Sequence, residues 1–213
     1  GDDFAANQPY AAFRKWCEVA SSRADKIIAS ARAGDALSLQ HLVFALEAKA
    51  DVENALMSAK AAGEECTAGT LALSRMNLTQ DQAAVAINVV LDAARGNPTV
   101  EAAGYIKAAL DIAGKHPGLD RARISISLEH MSQAGDPVAV HLMANALYWH
   151  HAEMHDAELA SCLSGIQAIS YKSAGTVQQI DDALPRLWPT RPDQVSEALA
   201  AIISKTKGKV GEG

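Results

Sequence analysis

Apolar residues along this chain recur at three- and four-residue spacings, and nowhere do they alternate over a stretch long enough for a strand. After a polar entry over residues 1–9, punctuated by Asn7 and Pro9, Phe13, Trp16, Val19, Ile27 and Ile28 keep a helical rhythm. They predict a leading helix from Tyr10 to Ala33, or two shorter ones if Ser21-Ser22 marks a break. Paired helices follow. The first pair ends near Lys49, turns at Ala50-Asp51 and resumes over Val52–Ala62; the second turns at Asn77–Gln80 and runs on through Ala83 to Arg95. A third pair is broken at Lys115-His116-Pro117-Gly118, after which Asp120 caps a helix running to Gln133. The fourth opens with Pro137 in its first turn and turns again over residues 150–156. Two further helices, Val177–Leu187 and Gln194–Thr206, flank the rigid turn Trp188–Pro192, and Val195, Leu199, Ile202 and Ile203 form an apolar stripe on the last.

Glycine followed by a polar or acidic residue punctuates the series. Gly34-Asp35 and Gly135-Asp136 open matching segments displaced by 101 positions, so that Ala45-Leu46 falls on Ala146-Leu147. Weaker copies occur at Gly63-Glu64, Gly96-Asn97 and Gly175. Glycine supplies a left-handed helix end, and the acid that follows can cap the next helix and favour its positive N-terminus. The intervals between closing glycines, 29, 33, 39 and 40 residues, suit helical-hairpin repeats. The expected organisation is one domain in three stretches: a leading segment 1–33, four hairpins over 34–175, and capping helices with a tail over 176–213.

Composition supports an all-α chain: apolar residues make up 49% but aromatics only 5%, leaving Ala, Leu, Ile and Val to build the core. The net charge of -6 carries no dense basic stripe, which speaks against nucleic acid as a partner. Lys205, Lys207 and Lys209 read as a solvated terminus. The longest apolar run, Ala83 to Leu91, falls far short of a bilayer span, so no membrane insertion is expected. Cys17, Cys66 and Cys162 are odd in number and read as buried, small apolar side chains rather than a disulfide framework. The chain begins Gly1-Asp2-Asp3 without Met, as a processed or trimmed form would.

The segment Asp51–Leu56 with Lys60–Gly63 resembles the second helix and closing turn of the Sel1-like repeat family, relatives of the tetratricopeptide repeats. In the fourth pair Gly135-Asp136, Ala139, Leu147, Asp156, Ala160 and Lys172–Gly175 carry the same resemblance, which covers roughly residues 33–175. A generic helical-hairpin array fits the pattern as well. The resemblance implies an α-solenoid whose first helices line a concave face, and a non-catalytic scaffold that binds a protein or peptide. Bacterial members of the family are often exported, which together with the composition and the missing Met points to a bacterial origin and to periplasm or secretion.

On that expected face, His141, Asn145 and Trp149 are spaced by four, with Tyr148 beside them; Gln40, His41 and Phe44 occupy related positions in the first pair. Rings supply contact area and amide or imidazole groups orientation, as in a peptide groove, although Tyr148 and Trp149 would equally serve to seal the hairpin. The alternative chemistry is a divalent metal site. If residues 150–158 were helical, His151, His155 and Glu158 would share one face at ligand spacing; the hairpin register instead puts the histidines in a solvent-exposed turn. No phosphate-cradling loop, nucleophile elbow or paired zinc-histidine motif is present, and Glu64-Glu65 and Asp181-Asp182 fall where helix-start capping explains them. A metal-dependent enzyme is therefore the second reading, behind the scaffold.

Overall fold

The computed structural model describes residues 3–95, 99–169 and 173–207. Among them are twelve α-helices and one short 3-10 turn, with no strand. In chain order these are α1 (Asp3–Val19), α2 (Ser21–Arg32), α3 (Ala36–Lys49), α4 (Val52–Ala59), α5 (Glu64–Arg75), α6 (Gln80–Arg95), α7 (Thr99–Gly114), α8 (Ala122–Ser132), α9 (Pro137–His150), α10 (Asp156–Gly165), α11 (Ala174–Leu187) and α12 (Pro192–Lys207), with the 3-10 turn at Ile166–Ala168. The all-α expectation is met, and no described helix is long and apolar enough to cross a membrane. By contact the chain divides into two compact units, Gly1–Ala93 with Asp111–Leu119 and Ala94–Leu110 with Asp120–Gly213; the boundaries cut α6 after Ala93 and α7 after Leu110.

In the first unit α3 packs against α1, α2 and α5, and α4 against α5. Gly34 takes a φ of 89°, a conformation glycine adopts without strain, and Asp35 then caps α3 by accepting the Ser38 amide at 2.8 Å. The Ser38 hydroxyl and backbone hold the Asp35 carboxyl below its usual range. At only eight residues α4 is too short to persist unsupported, and its stability comes from α5. The contact is close at Gly69, where a Cβ would lie 2.4 Å from the Ala59 backbone nitrogen and 2.8 Å from the Ala55 carbonyl oxygen. The last turns of α3 and α5 are tied by Arg75 Nη1 donating to Glu47 Oε1 at 3.2 Å.

In the second unit α9 packs against α8, α10 and α11, and α10 against α8 and α12. Gly135 and Asp136 repeat the arrangement at Gly34 and Asp35: a φ of 66°, then a carboxylate accepting the Val138 and Ala139 amides at 2.9 and 3.0 Å. Both α3 and α9 are 14 residues long, and the four buried positions of α3, Leu42, Val43, Ala45 and Leu46, correspond to Met143, Ala144, Ala146 and Leu147, all buried in α9. Beneath α8 and α10 lies an ion pair: Arg121 Nε donates to both carboxylate oxygens of Glu158, at 2.9 and 3.1 Å, with Glu158 fully buried.

Several local expectations need correction. The leading segment forms two shorter helices, as the Ser21-Ser22 alternative expected, with the break at Ala20, whose backbone is extended; the polar entry, however, is already helical from Asp3. Gly63 is itself the N-cap of α5, so Glu64 is that helix's first residue and not its cap. Gly175 does not close a repeat; α11 has already begun at Ala174. Asp181-Asp182 therefore lie in the middle of α11 and not at its start. The proposed glycine at Gly96, and Asn97, Lys172 and Lys209, lie outside the described residues. All three cysteines are free and buried, as expected.

Candidate interaction site

The sequence of α9 separates two faces. Ala139, Val140, Leu142, Met143, Ala144, Ala146 and Leu147 are buried, and His141, Asn145 and Tyr148 follow one another on the other side at helical spacing, with Trp149 next in line. The neighbour of that polar row is α11. His141 Nδ1 lies 3.0 Å from the Thr176 hydroxyl. One turn further along both helices, the side-chain oxygens of Asn145 and Gln179 are buried with no hydrogen-bond partner among the described residues. At the far end Arg186 lies over the Tyr148 ring, 5.0 Å from its centroid, and Tyr148 meets Trp149 edge-on at 4.8 Å. Since low residue numbers face low and high face high, α9 and α11 run in the same direction.

The four α9 candidates thus differ in kind. His141 and Asn145 face the seam with α11, Tyr148 is half-buried between Arg186 and Trp149, and Trp149 remains 62% exposed on that support. Sequence reasoning missed Thr176, Gln179 and Arg186. Their recurrence at helical spacing was visible, but reading Gly175 as a terminator separated α11 from the array.

In the first unit His41 and Phe44 belong to an aromatic cluster that seats α1 on α3. Phe13 is 4.5 Å from the His41 ring and 6.3 Å from Phe44, and Trp16 is 5.7 Å from Phe13. His41 Nδ1 also lies 2.7 Å from the Leu37 carbonyl within its own helix. Of the three candidates on α3, only Gln40 is exposed.

The geometry assumed for a metal at His151, His155 and Glu158 is not formed. A turn separates α9 from α10, leaving His155 exposed at the start of α10, while Glu158 is buried against Arg121 and accepts the His155 backbone amide at 3.1 Å. His151 Nδ1 lies 3.0 Å from the Leu147 carbonyl oxygen. Among the described residues no group of three or more His, Cys, Asp or Glu side chains is placed to hold a metal ion. The mid-helix carboxylates Asp181 and Asp182, by contrast, are exposed on α11.

No family model, no curated protein and no solved structure matches the chain.

Proposed function

We propose that this chain is a non-catalytic binding protein of the helical-hairpin repeat kind, in which α9 presents an aromatic contact to a protein or peptide partner. The observation that carries the reading is Trp149, 62% exposed and held edge-on by Tyr148 beneath it. An exposed indole costs solvation, and one held by its neighbours loses little freedom on binding, which is how interface anchors gain their energy. Arg186 adds a guanidinium against the same ring system.

The repeat part of the reading is an α-solenoid with Sel1-like or tetratricopeptide-like hairpins. It is supported by the 14-residue helices α3 and α9, each opened by a positive-φ glycine and a capping aspartate. It is also supported by the co-directional pair α9 and α11, as expected of first helices in successive hairpins.

The test is affinity capture from native extract with the wild-type chain and with Trp149→Ala, which removes an exposed ring and whose fold is checked by circular dichroism. A protein held by the wild type, lost by the variant and bound with a weakened Kd when purified is the expected result. Identical captured sets would reject the α9 face as the contact.

A further inference from the structure

The C-terminal pair of helices leaves an apolar groove that the α9 contact does not use. Its volume is about 460 Å³, and it is lined by Leu184, Pro185 and Trp188 of α11, Val195 and Leu199 of α12, and Asp181. Leu184 and Val195 form a buried floor, whereas Trp188 and Leu199, 49% and 36% exposed, stand as half-open walls. Ile203 continues the α12 stripe and is 51% exposed, so the apolar face of this last helix is only half covered. A surface helix ordinarily buries such a stripe.

The charge around the groove decides what fits it. Asp181 stands in the groove lining, and Asp182, Asp193 and Glu197 lie on the same two helices; none of the four has a hydrogen-bond or ion-pair partner among the described residues. The neighbouring cations are engaged elsewhere: Arg186 over Tyr148, Arg191 with Asp156, and Lys205 with the Gln167 carbonyl at 2.9 Å. The groove is therefore apolar at its floor and walls and negative at one end. From Asp181 to Trp188 α11 advances about 10 Å, two helical turns.

We propose that this groove docks an amphipathic helix of a partner protein, one that places two apolar side chains a turn apart over Leu184 and Trp188 and a Lys or Arg a further turn on, beside Asp181. The volume admits a few side chains and not a folded domain, which is the scale of the apolar anchors that an amphipathic helix lays into a groove. The unpaired Asp181 carboxylate in the lining selects a basic helix over an acidic one. This docking is independent of the α9 contact, since neither Tyr148 nor Trp149 lines the groove.

Trp188 supplies the readout. In a Trp16→Phe, Trp149→Phe background it is the sole indole, and a Trp-free Leu-Lys amphipathic peptide of about four turns is the probe. The expected result is a saturable blue shift of Trp188 emission, weakened about threefold to fivefold by Asp181→Asn and further by salt. Three outcomes overturn the proposal: equal binding of a Leu-Glu peptide with the same apolar pattern, an equal shift with a scrambled Leu-Lys peptide, or no effect of Asp181→Asn. A fourth, a concentration-dependent shift without peptide that coincides with a dimer mass in light scattering, overturns it by assigning the groove to a second copy of the chain.

Discussion

Glu158 shows how much a single side chain can commit. Its carboxylate accepts from the Arg121 guanidinium and from the His155 amide, so it joins the start of α8 to the start of α10 at zero exposure. Removing one partner of a buried pair strands the other charge in a medium that solvates it poorly, at a cost of about 3–5 kcal/mol. Arg121→Ala should lower the urea midpoint accordingly, and Arg121→Met with Glu158→Leu should recover much of the loss; a double variant as weak as the single one would show that the hydrogen bonds, not the charge balance, matter. Cys162 lies in the same interior. Burial pushes its thiol well above the usual range, and the nearby Glu158 charge adds to the shift. Its folded pKa is raised, so its contribution to stability is complete below the thiol's unfolded pKa of about 8.5 and declines as pH rises beyond it. Urea unfolding from pH 7 to 10 should show this alkaline loss, and Cys162→Ser should flatten it.

At the scale of elements, helix packing here turns on how close two backbones come. Gly69 faces the α4 backbone with no room for a Cβ, since the nearest atoms, at 2.4 to 2.8 Å, are main-chain and cannot turn aside. Gly69→Ala should therefore force α4 and α5 apart and destabilise the chain by about 1–3 kcal/mol, the usual range for overpacking. Gly104 in α7 has nothing within 4 Å of the same position, so Gly104→Ala should stabilise by about 0.5–1 kcal/mol. Opposite shifts in the denaturant midpoint would confirm the pair; shifts of one sign would refute it. The sequence makes helix starts legible where the signal is local, as at Asp35, Asp136 and Pro137, because a cap and the amides it binds lie within three residues. The start of α11 was misread because a glycine in an open site looks the same whether it ends a helix or lies in its first turn. The α9 candidates could be placed on one face from spacing, but their roles could not: whether His141 meets solvent or Thr176 depends on a helix 35 residues away.

For the whole molecule, the acidic balance and the scattered histidines limit what the chain responds to. With Glu158 engaged by Arg121 and the helical face of His151 and His155 interrupted by a turn, micromolar zinc should leave Tm unchanged, since a ligand held only by the folded state would raise it. A saturable rise abolished by His151→Ala with His155→Ala would reinstate the metal reading.

The correspondence between α3 and α9 extends only inward. The four buried positions of α3 recur as buried positions of α9, with Leu42 against Met143 and Leu46 against Leu147, whereas the positions around them have parted: Phe44 stands where α9 has Asn145, Glu47 where it has Tyr148, and Ala48 where it has Trp149. The two segments share a capped start and a buried pattern but not their neighbours. Transplanting residues 137–150 into positions 36–49 would keep apolar side chains at the four buried positions, with the smaller Ala144 in place of Val43, but would put Leu142 and Asn145 where His41 and Phe44 seat α1, and would carry an indole into the other unit. A shared buried pattern decides how such a helix folds, and the residues between its buried positions decide what it meets.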